Sequence, residues 1–139
     1  DLPAYDLPRA RYHEVRRVIE KSVMPVMRQK YDTAQLRLRE AFLVKYEALD
    51  GTACHRQPGL GMHKDGTLLN AIILLSSPDD FDGGGTQFAP PLDTLYNTAR
   101  GDCLCSCGQL LHSARPVTCG VRYVLIAFID ELQTNMSTQ

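Results

Sequence analysis

The spacing of apolar side chains changes once along this chain, near residue 36. From about Arg9 to Gln29 they recur every 3–4 residues, which predicts an amphipathic helix. Pro25 lies inside this segment and lacks a backbone N–H, so we expect a kink or break near Met24. The apolar face of the helix is predicted to contain Tyr12, Val15, Val18, Ile19, Val23 and Val26.

Beyond residue 36 the apolar side chains alternate with polar ones, or form short continuous runs, and both patterns predict β-strands. Turn signals rich in Gly, Pro and Asp separate these segments, among them Asp50-Gly51, residues 76–85, Pro116 and Gly120. A helix followed by seven or eight short strands, with turns about every 8–12 residues, favours a mainly β sandwich or roll with helical support. The predicted strands cover 36–39, 41–46, 68–75, 86–88, 92–98, 103–111 and 122–129.

Length and composition indicate one ordinary globular domain over residues 1–139. The net charge of −1 gives no basic excess of the kind that nucleic-acid binding requires. No apolar run reaches the roughly 18 residues of a membrane-spanning helix, and no signal-peptide pattern is visible. The expectation is a protein outside the membrane, whose compartment and oligomeric state stay open.

The five cysteines do not form the spacings of a zinc ribbon or a disulfide framework. Their number is odd, and no C-x-x-C pair occurs. Cys103, Cys105 and Cys107 alternate, so on a strand they share one face. We interpret them as small apolar side chains packed on a sheet.

The candidate chemistry lies in His63-Lys64-Asp65. On an extended strand, residues two apart point to the same face, so His63 and Asp65 can close on one metal ion while Lys64 points away. His112 is the best candidate for a second imidazole. Two histidines and one carboxylate, with other positions left open, hold iron in non-haem Fe(II) oxygenases. An H-x-D pair by itself is also typical of a solvated strand edge.

The order of several motifs extends this interpretation. His63-Lys64-Asp65 is followed by the segment 83–88 (GGGTQF), by Gly101-Asp102, and by the run from His112 to Arg122. In this order they resemble the core of the Fe(II)/2-oxoglutarate-dependent dioxygenases, and particularly the prolyl and lysyl hydroxylase branch. The resemblance covers roughly half of the chain.

The resemblance implies a fold and a set of site residues. The core, residues 36–130, is expected to be a double-stranded β-helix of the jelly-roll or cupin type, with helical support in 1–35 and a tail in 131–139. His63, Asp65 and His112 would be the metal ligands. Arg122, ten residues after His112, would bind 2-oxoglutarate, and Asn70 and Tyr46 would lie near that cosubstrate.

Residue chemistry leaves alternatives at these three positions. Arg122 shares its predicted strand face with Val124, Ile126 and Phe128, where a cation needs an anion unless it reaches water at the strand end. Asn70 could instead be a satisfied core amide, and Tyr46 a packing residue with its hydroxyl at a rim. His55 could lie in the pocket or on a surface loop.

The implied activity is hydroxylation of a C–H bond, with Fe(II), O2 and 2-oxoglutarate consumed to yield succinate and CO2. The resemblance suggests a prolyl or lysyl side chain of a peptide or protein as substrate, and ascorbate as a further cofactor. Two alternatives remain: the same chemistry on a nucleic-acid base or small molecule, and a non-catalytic binding domain on this fold.

Overall fold

The computed structural model describes residues 1–49 and 56–132, which form an N-terminal helical segment and two antiparallel β-sheets. The helical segment contains a 3₁₀ turn (Ala4–Asp6), α1 (Arg9–Val18), a π-helical turn (Ile19–Val23) and α2 (Met24–Lys30). In the described parts of the chain, no helix is both long and apolar enough to cross a bilayer. The strands are β1 (Leu2–Pro3), β2 (Leu36–Glu47), β3 (Leu60–His63), β4 (Leu69–Leu74), β5 (Phe81–Gly83), β6 (Thr86–Phe88), β7 (Leu95–Tyr96), β8 (Cys103–Cys107), β9 (His112–Ala114) and β10 (Val117–Glu131).

The larger sheet has the strand order β1-β2-β10-β4-β8, and β5 pairs with the first part of β10. The smaller sheet has the order β3-β9-β6-β7. The two inner faces enclose a cavity between them. This architecture confirms the predicted fold class, a mainly β jelly roll with an N-terminal helix. The Asp50-Gly51 turn, His55 and the tail beyond residue 132 lie outside the described residues.

Strand β10 shows how the sequence pattern builds two apolar layers. Leu125, Ala127 and Ile129 pack with the helices on the outer face of the larger sheet. The residues that alternate with them, among them Val124 and Ile126, point into the space between the sheets. Because both faces of this central strand are covered, its run of apolar residues is nearly continuous.

The helix breaks where Pro25 predicts, but the break changes the buried face. The backbone N–H of Met24 donates to Ile19, five residues earlier, so the π-helical turn holds one residue more than an α-helical turn. That extra residue rotates the following turn. Met27 is therefore buried, whereas Val26 is 62% exposed. Val18, which precedes the π-helical turn, is exposed as well, so the prediction that Val18 and Val26 face the core is wrong.

This shift predicts unequal costs for truncating two neighbouring residues. Met27→Ala is expected to lower the free energy of unfolding by about 2–5 kcal/mol, because it opens a cavity under the helix. The matched control, Val26→Ala, should stay within about 0.5 kcal/mol of the parent, since Val26 is mostly in solvent. Urea unfolding of both variants measures the difference, and equal losses would contradict the burial of Met27 and the exposure of Val26.

Three of the predicted strand boundaries are wrong. The strand expected over 92–98 is reduced to β7, because Asp93 closes a turn onto Ala89 and has a left-handed φ of 42°. The strand expected over 103–111 ends at Cys107, and a turn closed by Leu110 carries the chain to the smaller sheet. The last strand begins at Val117, five residues before its predicted start at Arg122.

Gly120 lies within β10 rather than in the turn that its sequence predicts. Its φ of 74° accompanies a shift in the register of β10 against β5. A Cβ at this position would lie 2.1 Å from the carbonyl oxygen of Asp80. Only glycine fits this close backbone approach, which keeps the strand continuous past β5.

Candidate metal centre

Two paired strands of the smaller sheet bring two imidazoles together. His63 ends β3, His112 begins β9, and the two residues are directly opposite each other in the antiparallel pair. Opposite residues in such a pair project from the same face. Their ring centroids are accordingly 4.5 Å apart. His112 is buried, while the side chain of His63 is 31% exposed.

A hydrogen bond to the backbone orients each imidazole. Nδ1 of His63 lies 2.7 Å from the carbonyl oxygen of Gly61, and Nδ1 of His112 lies 2.9 Å from that of Leu110. A carbonyl oxygen can only accept, so each Nδ1 carries the proton. Both Nε2 atoms then present a lone pair toward Asp65, as histidine requires to bind a metal.

Asp65 completes the group from the loop that follows β3. Its Oδ1 lies 3.3 Å from Nε2 of His63, and its Oδ2 lies 3.6 Å from Nε2 of His112. The backbone N–H of Asp65 donates to the carbonyl oxygen of Gly108 at 2.9 Å. The sequence pattern predicted that Asp65 lies on the same strand as His63. Asp65 lies instead in the loop beyond the end of that strand. A contact with the turn after β8 holds it in place instead.

The three side chains have the spacing that one ion needs. A ligand atom from each lies within 4.8 Å of the other two, and in the described part of the chain no further group of three such residues meets this condition. Donors held about 2.0–2.2 Å from an ion, at right angles to each other, are about 3 Å apart. Oδ1 of Asp65 lies 3.3 Å from Nε2 of His63, close to that value, and the donor set of two nitrogens and one oxygen suits Fe(II).

The centre opens into the cavity between the sheets, which has a volume of about 330 Å³. Arg122 lies on the wall formed by the larger sheet and is only 4% exposed. The residues that line the cavity around it are mostly apolar. They include Phe42, Val44, Ile72, Val124, Ile126 and Phe128.

Arg122 is a buried cation without a carboxylate partner among the described residues. Its guanidinium carbon lies 5.6 Å from the centre of the Tyr46 ring, the residue opposite it on β2. Burial lowers the pKa of Arg122, and Tyr46 offsets only part of that effect. The alternative in which Arg122 reaches water at a strand end is wrong, because its strand begins five residues earlier.

Tyr46 lines the same cavity and is 3% exposed. Burial raises the pKa of its hydroxyl, and Arg122 opposes that shift. Tyr46 also packs in the inner apolar cluster, so both of its expected roles are compatible with its position. Its contact with a cosubstrate stays a prediction.

Asn70 lies behind Asp65 rather than on the cavity wall. Its Nδ2 donates to Oδ2 of Asp65, and its Oδ1 accepts a hydrogen bond from the hydroxyl of Ser106 at 2.5 Å. Both ends of the amide are hydrogen-bonded, so Asn70 is a satisfied core amide, which is one of the two alternatives at this position. This geometry does not favour the predicted contact between Asn70 and the cosubstrate.

Neither the contact of Ser106 with Asn70 nor the reason for the glycine run 83–85 was predictable from the sequence. A Cβ on Gly84, which has a φ of 70°, would lie 3.0 Å from Cδ of Arg122. The run thus lets the backbone pass close to the arginine side chain. Ser106 gave no local signal because it stands between two cysteines on β8.

The alternating cysteines lie away from the metal centre. Sγ of Cys103 and Sγ of Cys105 are 3.6 Å apart on one face of β8, and Cys105 packs against the apolar cluster under the helices. Cys103 is exposed. Replacing all three cysteines by Ala should lower the free energy of unfolding by about 0.5–3 kcal/mol. Metal affinity should not change, and loss of metal in a titration would contradict the structural role.

Known proteins with similar sequences are procollagen-lysine dioxygenases. No protein-family model matches the chain. It is 30% identical over 128 residues to "Procollagen-lysine,2-oxoglutarate 5-dioxygenase 2" of Homo sapiens, which covers 90% of this chain and 16% of that protein. It is 31% identical over 103 residues to the corresponding enzyme 1 of Mus musculus, covering 72% and 13%. The chain thus spans about a sixth or less of these relatives.

Solved structures with the same fold have low sequence identity. An oxidoreductase of the 2OG-Fe(II) oxygenase family from Burkholderia pseudomallei superimposes with a TM-score of 0.72 and 17% identity, over 90% of this chain and 59% of that one. The viral collagen prolyl hydroxylase of Paramecium Bursaria Chlorella virus-1 gives 0.66 and 16%, over 91% and 78%. At these identities the match establishes the fold alone.

Proposed function

This chain belongs by sequence and by fold with the Fe(II)/2-oxoglutarate-dependent dioxygenases, in the branch of the prolyl and lysyl hydroxylases, and we propose that it hydroxylates a C–H bond. Fe(II) would be held by His63, Asp65 and His112, and 2-oxoglutarate by Arg122. One observation carries this proposal: a convergent two-histidine, one-carboxylate group shares an apolar cavity with a buried arginine that has no carboxylate partner among the described residues.

The metal would supply the activation of O2, coupled to conversion of 2-oxoglutarate into succinate and CO2. The protein's own share is positioning. In each neutral imidazole the backbone carbonyl of Gly61 or Leu110 holds the proton on Nδ1, so that Nε2 is the nitrogen that would face the ion. His63, Asp65 and His112 would hold the ion by three ligands only, and such a donor set suits iron that also binds a cosubstrate and O2.

Arg122 supports the assignment of a dianionic cosubstrate. A buried guanidinium is costly unless an anion compensates it, and no described carboxylate does so. The distal carboxylate of 2-oxoglutarate would pair with its planar fork through two parallel hydrogen bonds. In the apolar cavity this pair is weakly screened, which strengthens it. Tyr46, opposite Arg122, would contact the same cosubstrate.

We propose a prolyl or lysyl side chain of a peptide or protein as the substrate. The relatives named procollagen-lysine dioxygenase and collagen prolyl hydroxylase support this substrate class. His63 is the more exposed of the two histidines, so the centre can be approached from the side of β3. The use of ascorbate stays a prediction from the family resemblance.

The test is succinate formation by the purified protein with Fe(II), O2 and 2-oxoglutarate. Mass spectrometry of a panel of prolyl and lysyl peptides, nucleosides and small molecules should find a gain of one oxygen on a peptide. Oxygen gain on another class would transfer the assignment to that class. Complete absence of succinate, with 2-oxoglutarate still bound, would support a non-catalytic binding domain instead.

A further inference from the structure

The amide of Asn70 has a direction that its neighbours dictate. An ionised carboxylate only accepts hydrogen bonds, so the nitrogen of the Asn70 amide must face Oδ2 of Asp65. The amide oxygen then faces Ser106, whose hydroxyl must donate. The result is a one-way chain of donors that runs from Ser106 through Asn70 to one oxygen of Asp65.

The first two residues of this hydrogen-bonded series, Ser106 and Asn70, are both held in the larger sheet. Asn70 is fully buried on β4, and Ser106 is 8% exposed on β8. The two residues are directly opposite each other in the β4–β8 pair, so the register of the sheet sets their contact. Both side chains are therefore largely shielded from water that could replace these partners.

A second clamp acts on the backbone beside the same carboxylate. Asp65 N–H donates to Gly108 O, and Gly108 N–H in turn donates to the carbonyl oxygen of Leu68. A Cβ on Gly108 would lie 2.2 Å from Oγ1 of Thr67, so the turn after β8 and the loop of Asp65 approach as closely as glycine allows. The backbone of Asp65 is therefore held directly by Gly108, and its side chain is held by Ser106 through Asn70.

We propose that Asn70, held by Ser106, is a positioning residue that occupies Oδ2 of Asp65 and leaves Oδ1 as the oxygen presented beside His63. This inference rests on the proposed metal site and adds a selection between the two carboxylate oxygens. Oδ1 lies 3.3 Å from Nε2 of His63 and accepts nothing from Asn70. With Oδ2 occupied by Asn70, Asp65 would offer the ion a single oxygen, Oδ1.

Structural packing alone gives a different expectation for the same residues. A buried amide at this position could be replaced by an apolar side chain of similar volume at little cost in metal affinity, if its role were only to fill the sheet. Residues that orient metal ligands typically change metal affinity by about 10- to 100-fold when they are lost. Metal affinity and fold stability therefore separate the two roles.

The experiment measures Co²⁺ binding to the metal-free protein by titration and by the visible absorption of the bound ion. Asn70→Leu should bind Co²⁺ about 10- to 100-fold more weakly than the parent, and its absorption bands should change because Oδ2 is released. Ser106→Ala should weaken binding by about tenfold, at the lower end of that range. Ser106→Thr keeps the hydroxyl and should restore binding close to that of the parent.

Cys105→Ala is the matched control, because Cys105 neighbours Ser106 on β8 but packs on the opposite side, toward the helices. It should lose stability while keeping the affinity and absorption bands of the parent. The inference is overturned if folded Asn70→Leu and Ser106→Ala both bind like the parent. If Asn70→Leu does not fold, the Ser106→Ala and Ser106→Thr pair decides alone. A parent that binds no Co²⁺ would overturn the proposed metal site as well.

Discussion

Replacing Arg122 by Ala is expected to weaken 2-oxoglutarate binding by roughly 30- to several-thousand-fold. Truncating one member of a buried charge pair typically costs about 2–5 kcal/mol, and each 1.4 kcal/mol is about tenfold in affinity. We expect a cost of this size for Arg122, because its side chain is 4% exposed and the cavity around it is mostly apolar. Calorimetric titration of the metal-loaded protein with 2-oxoglutarate measures the change.

Two further variants at this position identify what the arginine contributes. Arg122→Lys keeps the charge and loses the planar fork, so its affinity should fall between those of the parent and Arg122→Ala. Arg122→Met removes a buried cation that has no carboxylate partner in the described part of the chain, and without cosubstrate it should be at least as stable as the parent. Metal affinity should hardly change in any of the three. Parent-like binding of 2-oxoglutarate by Arg122→Ala would exclude Arg122 as the anchor.

Replacing Asp65 by Ala is expected to produce the opposite order of losses, with metal binding lost first. Asp65 supplies the anionic donor of the group, and its carboxylate lies between the two imidazoles. Loss of a residue that only orients a ligand costs up to about 100-fold in metal affinity, so loss of the ligand itself should exceed that value. Titration of the metal-free variant with Co²⁺ or Fe(II) measures it.

A second carboxylate outside the centre provides the control for Asp65. Glu14 pairs with Arg11 on α1, at 2.7 Å. Glu14→Ala removes one negative charge from the protein without touching the centre, and it should leave metal affinity unchanged. If Asp65→Ala and Glu14→Ala bind metal equally well, then Asp65 is not a ligand, and the proposed centre fails with it.

Local sequence patterns predicted those parts of the fold that depend on neighbours along the chain. The period of 3.6 before residue 36 and the shorter period after it were sufficient for a helix packed on a β roll. The break near Met24 followed from Pro25 alone. The face of the helix that is buried after the break could not be predicted from Pro25, because the π-helical turn shifts Met27 into the place expected for Val26.

Candidate ligands could likewise be named from residue type and spacing, since few residues bind metals and His63 and Asp65 stand two apart. Their alternation on a strand was nevertheless the wrong reason for Asp65, which lies beyond the end of β3. The position of His112 opposite His63 is a consequence of strand pairing between distant segments. No local pattern encodes such a pairing.

The sequence by itself determined the mainly β class, the helical support and the identity of the candidate ligands, because each depends on residue type and short-range period. Only the tertiary structure decided how Asp65 is held and that Arg122 has no described carboxylate partner. Asn70 and Ser106 are 36 residues apart, and their hydrogen bond exists only because β4 and β8 pair in one register. Contacts of this kind depend on sheet register and burial, which are properties of the whole packed chain.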